Sequence, residues 1–123
     1  MAGPYDNRRD VDAAIMAGRH RALVGGRWDE IGQLQLDFLR AQGMRPHHKL
    51  LDIGCGSLRA GVKLIKYLDP GHYFGTDIHE SLLSVGYDIE LAKEGLQPKL
   101  PRSQLIVDGE FDFSWCRARF DFA

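Results

Sequence analysis

The stretch Lys49-Leu50-Leu51-Asp52-Ile53-Gly54-Cys55-Gly56-Ser57-Leu58-Arg59-Ala60-Gly61 constrains the fold more than any other part of this chain. An apolar run too short for a helix carries an acid at its end. Two glycines one residue apart follow, and after them apolar residues recur at Leu58, Val62 and Ile65, the spacing of a helix face. The pattern predicts a strand over about 49–53, a tight turn, and a helix over about 58–68 closed by Asp69-Pro70-Gly71. The same unit returns downstream. His72-Tyr73-Phe74-Gly75-Thr76 is a second strand pattern ending in Asp77, and a helix is expected from about His79 to Glu94 with Leu82, Val85 and Ile89 facing inward. Gly86 in its middle costs roughly 1 kcal/mol relative to alanine, so a split into two shorter helices is an alternative. Pro98 and Pro101 frame a loop, and Gln104-Leu105-Ile106-Val107 forms a third strand pattern, again closed by an acid, Asp108.

Strands alternating with helices, and apolar on both faces, predict a parallel sheet. Right-handed crossovers place strand one in the middle, strand two beside it and strand three outside. The expected fold class is therefore α/β: a Rossmann-like, doubly wound parallel sheet, incomplete, with three strands plus the start of a fourth and with helices ahead of the first strand. That fourth strand is read from the last residues, Phe120-Asp121-Phe122-Ala123. The chain is accordingly expected to be the front portion of a larger domain, with an unpaired edge on strand one that favours self-association into a homo-oligomer. Upstream, residues 1–27 read as a polar tail, a short helix over about 11–17 and a basic connector around Arg19-His20-Arg21 that is a candidate lid. Residues 28–123 read as the truncated domain. A longer helix starts near Asp29 and ends at Gly43, with Ile31, Leu34 and Phe38 expected to face the sheet.

Composition narrows the function classes. A net charge of −1 gives no electrostatic reason to expect nucleic acid, and no apolar run approaches a membrane span. Cys55 and Cys116 form neither a CxxC pair nor a metal spacing, so no metal site is predicted and a reduced, cytoplasmic setting is the default expectation. His47 and His48 read as solvent-facing loop residues.

The turn itself specifies a ligand chemistry. Gly54 and Gly56 let the backbone turn sharply and approach a ligand without a Cβ in the way. Ser57 is placed to cap the following helix. Asp77 is suited to hold two ribose hydroxyls, Ile78 to lie on a purine face, and Asp108 to accept from an exocyclic amine; a helix cap at Asp77 and turn chemistry at Asp108 are the structural alternatives. A dinucleotide fingerprint requires a third glycine where Arg59 stands, and a phosphate-binding loop requires a lysine that Gly56-Ser57-Leu58 lacks. Asp52 would repel a phosphate and attract an ammonium. The ligand read from these residues has a ribose, a purine, an amine and a carboxylate, and no phosphate. S-adenosylmethionine meets each condition.

The residues Leu50 to Ser57, then Tyr73-Phe74-Gly75-Thr76-Asp77-Ile78, then Val107-Asp108-Gly109, resemble the first three motifs of class I S-adenosylmethionine-dependent methyltransferases. Val24 to Gly32 and Gly56-Ser57-Leu58-Arg59-Ala60-Gly61 resemble one bacterial branch of that superfamily, whose fourth strand opens much as Phe120 to Ala123 does. The resemblance covers about residues 20–123. It implies a seven-stranded sheet in the complete domain and S-adenosylmethionine as cofactor. Asp52 would contact the methionine amine, Gly54, Cys55 and Gly56 would line methionine and ribose, Asp77 would hold the ribose, Ile78 would lie beside the adenine and Asp108 would meet the adenine amine. The sequence departs from that pattern at Leu58, where many relatives carry glycine. The resemblance is silent on the methyl acceptor and names no catalytic base. The rival readings are a non-catalytic nucleotide-binding or self-associating module and, behind it, a fragment of a nicotinamide-dependent oxidoreductase.

Overall fold

The computed structural model describes residues 28–108 and 120–123. The expected helix over 11–17, the candidate lid and Cys116 lie outside the described residues. Helix α1 spans Trp28–Ala41, strand β1 Leu50–Ile53, helix α2 Gly61–Tyr67, strand β2 Tyr73–Asp77, helix α3 Glu80–Val85 and strand β3 Leu105–Val107. The three strands are parallel in the order β1-β2-β3, with Asp52 opposite Gly75 and Asp77 opposite Val107. On the other side of β1, Leu50 forms a parallel bridge to Phe122, and the Leu51 amide donates to the Phe122 carbonyl at 3.0 Å. The sheet therefore has strand one inside and Phe120–Ala123 starting a fourth position, as the pattern predicts.

Helix α1 ends where glycine was expected to end it. Gly43 takes φ +102°, its amide donates to Arg40, and the Met44 amide reaches back to Leu39. This is the paired closure of a left-handed helix end, completed by the fully buried Met44 side chain. Its inward face differs from expectation. Leu34 and Phe38 are 64% and 62% exposed, and the helix packs instead through Trp28, Gly32 and Leu36. The reason is close approach: a Cβ on Gly32 would stand 2.6 Å from the Arg59 carbonyl oxygen, so α1 seats its glycine directly on the turn after β1. A leucine stripe cannot come that near.

Leu58 decides the next two departures. It adopts φ +72°, a conformation that costs a non-glycine residue roughly 1–2 kcal/mol. The chain cannot be helical there, so α2 begins at Gly61, three residues later than the periodicity predicts. The side chain is nonetheless fully buried. Room for it comes from two glycines: a Cβ on Gly61 would meet Leu58 Cδ2 at 2.8 Å, and one on Gly86 would meet Leu58 Cγ at 2.7 Å. At Gly86 the third helix does not break. It changes winding, from α to a π-helix over Gly86–Leu91. The wider winding rotates everything after it, so Ile89 turns out to 49% exposure while Glu90 and Leu91 are buried.

Leu58 and Gly86 are thus one packing unit. Leu58→Gly is expected to lower stability by about 2–3 kcal/mol, the lost burial exceeding the strain relieved. Gly86→Ala is expected to cost about 1–3 kcal/mol through overpacking. Urea unfolding of the double variant should show a loss smaller than the two added together, because the alanine methyl then occupies space the leucine has left.

Candidate functional site

The carboxyl ends of the three strands converge on the glycine turn. Gly54 and Gly56 take φ +74° and +58°, which turns the chain back over the end of β2. The Gly54 and Cys55 amides both donate to the Thr76 carbonyl, at 2.8 and 2.9 Å. The Asp77 carboxylate completes the attachment. Its Oδ2 accepts from the Gly56 amide at 2.9 Å and its Oδ1 from the His79 amide at 3.0 Å. Asp77 is buried, and both oxygens have a backbone partner, so it anchors the turn on one side and the entry to α3 on the other. Each oxygen keeps a further lone pair. The Asp108 amide donates to the Asp77 carbonyl, which continues the ladder one step past β3 and sets the two acids side by side.

Asp52 stands on the same sheet face as Tyr73, Gly75 and Asp77. The buried Tyr73 phenol donates to Asp52 Oδ2 at 2.7 Å. Burial pushes the Asp52 carboxyl up from 3.8 to about 6; the Tyr73 hydrogen bond opposes that, the Asp77 charge adds to it, and the Arg59 guanidinium again opposes it. Asp52 therefore titrates well above the ordinary carboxylate range. With Gln35 of α1, the turn residues 54–56, Arg59 and Ala60, it lines a polar hollow of about 60 Å³. That volume is far below the several hundred Å³ of a whole-ligand pocket and suits one polar end of a ligand. A Cβ on Gly54 would meet nothing within 4 Å, so the turn is bare on its open side. Ile78 is 51% exposed at the end of β2, an apolar surface next to Asp77.

Of the residues singled out in the sequence, Asp52, Gly54, Gly56, Asp77, Ile78 and Asp108 meet along this rim. Cys55 is also in the turn, with its side chain directed inward: a Cβ on Gly75 would lie 2.8 Å from its Sγ. Its amide is engaged with Thr76 and its carbonyl accepts from Leu58. Burial pushes the thiol well above its ordinary range. Cys55 fills the space that Gly75 leaves and offers the rim neither a free thiol nor a free amide.

Ser57 does not cap a helix. Position Ala60 occupies the cap, without a side-chain hydrogen bond, and Ser57 Oγ is buried with no hydrogen-bond partner among the described residues. The left-handed turn at Leu58 carries the helix start out of its reach. Two residues of the site are not legible as such in the sequence. Tyr73, which holds Asp52 from beneath the hollow, reads as an ordinary strand aromatic, and Gln35, which lines the hollow, lies on a helix whose docked face the apolar spacing misplaces. His48 Nδ1 accepts from the Arg45 amide at 2.8 Å at the opposite end of the sheet. Among the described residues no cluster of His, Cys, Asp or Glu is arranged to hold a metal ion, and no helix is long and apolar enough to cross a membrane.

No family model matches the chain. Solved structures do share its architecture. Magnesium protoporphyrin IX methyltransferase from Synechocystis PCC 6803, crystallised with bound SAM, matches with a TM-score of 0.56 at 16% identity, over 84% of this chain and 45% of that one. The same enzyme with bound SAH gives 0.57 at 17% identity, over 92% and 53%. The chain has a methyltransferase-like α/β fold. It spans about half the length of these neighbours, and at such identity the likeness is one of fold.

Two substitutions test the electrostatics of the rim. The Asp52 carboxyl titrates higher folded than unfolded, so between about pH 4 and 6 the folded chain holds the extra proton and stability falls as pH rises. Asp52→Asn removes that penalty. Its unfolding free energy by denaturant titration should exceed the wild type's at pH 7.5 by an amount on the order of 1 kcal/mol or more, and the gap should narrow as the pH falls toward about 4. Asp77→Ala strands two amides and should cost about 2–4 kcal/mol by denaturant unfolding.

Proposed function

We propose that this chain carries the cofactor half-site of an S-adenosylmethionine-dependent methyltransferase, acting on an acceptor whose identity lies outside the described residues. The observation that carries the proposal is the acid-lined glycine turn, with Asp52 held by Tyr73 on one side of it and Asp77 and Ile78 on the other. The residues present fit such a cofactor. An ionised Asp52 in a small polar hollow suits the ammonium, the bare face of Gly54 admits the chain that joins it to the ribose, the spare lone pairs of Asp77 suit ribose hydroxyls, and Ile78 with Asp108 suits a purine and its amine. Neighbours of the same fold were crystallised with SAM and SAH. The finer likeness to one bacterial branch rests on the residues around Gly32 and Gly56 to Gly61; Gly32, seated on the Arg59 carbonyl, ties those two segments together.

When bound, the cofactor supplies an activated methyl group that leaves a neutral thioether behind. The protein's task is then alignment. Asp52 fixes the amino-acid end, and Asp77, held on two backbone amides, fixes the ribose relative to the same turn. A nicotinamide-dependent reading is disfavoured by Arg59 in the third glycine position and by an acid where a pyrophosphate would lie.

Calorimetric titration of the full chain with S-adenosylhomocysteine, with NAD as the comparison, tests this. Saturable binding of S-adenosylhomocysteine is expected, together with a roughly 10- to 100-fold loss in Asp52→Asn from removal of a charge-assisted hydrogen bond. Preferential binding of NAD would overturn the proposal in favour of the oxidoreductase reading.

A further inference from the structure

Tyr73 is a buried phenol in the middle of the sheet, and its hydroxyl donates to Asp52 Oδ2 at 2.7 Å with the Cys55 thiol close beside it. Nothing about packing requires that hydroxyl, since phenylalanine would fill the same volume. Its neighbours are arranged around it. Gly61 is bare where a Cβ would stand 2.9 Å from the phenol oxygen, and Gly75 is bare where a Cβ would stand 3.1 Å from the Tyr73 ring. Two glycines therefore give this side chain the space to reach the carboxylate. Among the described residues, the phenol is the one hydrogen-bond donor to Asp52, and it occupies a single oxygen.

The structure points to a positioning role: we propose that Tyr73 orients Asp52 and keeps it ionised, so that the remaining carboxylate oxygen receives a ligand's ammonium group. The proposal rests on the cofactor reading above. The groups facing Asp52 can be named from each element around it. From β2 come Tyr73 and Asp77, from the turn Arg59 and Cys55, and from α1 the uncharged Gln35. Burial and the Asp77 charge favour the protonated acid; Tyr73 and Arg59 favour the anion. The half-buried Arg59 is partly screened by solvent, whereas the buried phenol is not. Losing the phenol therefore shifts the balance toward the neutral acid, which attracts an ammonium poorly. The Tyr73 proton stays on its own oxygen at every pH used below, because burial and the neighbouring carboxylate push the phenol well above its ordinary range.

The test compares the full chain with Tyr73→Phe, titrating each with S-adenosylhomocysteine and with 5′-methylthioadenosine from pH 5.5 to 8.5. The second ligand has the nucleoside and thioether without the amino acid, so it reports on the fold and the nucleoside side of the rim. The carboxyl carbon of Asp52 is followed by NMR in both proteins. Wild-type affinity for S-adenosylhomocysteine should fall below about pH 6. In Tyr73→Phe the Asp52 midpoint should rise by about one unit, so that the variant's affinity for S-adenosylhomocysteine trails the wild type's by a factor approaching tenfold at pH 5.5 and converges with it by pH 8.5. Affinity for 5′-methylthioadenosine should be the same in both. An equal loss for both ligands with an unshifted Asp52 midpoint would reduce Tyr73 to a packing residue and overturn the proposal. Binding of both ligands with no pH dependence for S-adenosylhomocysteine would overturn it while leaving the cofactor reading intact. Binding of neither ligand by the wild type would refute the cofactor reading, and this inference with it.

Discussion

The rim depends on how the turn after β1 is fastened to the end of β2. Three amides of that turn, those of Gly54, Cys55 and Gly56, are directed at two acceptors, the Thr76 carbonyl and the Asp77 carboxylate. A turn with two left-handed glycines has little stiffness of its own. Here the neighbouring strand supplies it. Because Asp77 also receives the His79 amide, a single carboxylate couples the turn to the start of α3. That carboxylate is therefore a structural member of the rim, and each of its oxygens still keeps a further lone pair.

The packing behind the turn shows how a departure from a pattern is accommodated. Leucine at position 58 takes a backbone conformation that glycine adopts freely, and the strain is offset by complete burial of a large side chain. That burial is available only because Gly61 and Gly86 present no Cβ. The glycine at position 86, which reads in isolation as a weak point in a helix, is required for contact with a residue on another element. A π-helix starts at the same residue. It carries Glu90 into the interior and Ile89 out of it.

The legible and illegible parts of the chain divide along the range of the interactions involved. Strand positions, their order, the helix end at Gly43 and the meeting of the three acids were readable because each follows from nearest-neighbour chemistry and from the handedness of parallel crossovers. The inward face of α1 was not readable. Ile31, Leu34 and Phe38 have the right spacing for a buried stripe, but Gly32 approaches the Arg59 carbonyl more closely than any apolar stripe allows. The start of α2 and the capping role of Ser57 failed for one shared reason, the positive φ of Leu58. Cys55 was correctly placed in the turn, yet the direction of its side chain depends on the vacancy at Gly75, a residue on a different strand.

The sequence by itself determined the chemistry at the strand ends: which residues are acidic, which are bare of side chain, and in what order the crossovers bring them to one edge. Those are properties of residue type and of short spacing, and they survive any detail of packing. Tertiary structure alone decided which acid is anchored on backbone amides and which is held by a side chain in a half-buried site. Asp77 receives two backbone amides, whereas Asp52 is left half-buried with one phenol, and burial then raises its titration to about 6. That difference arises from dielectric environment and from donors contributed by distant segments. Neither is encoded in the local sequence around either carboxylate.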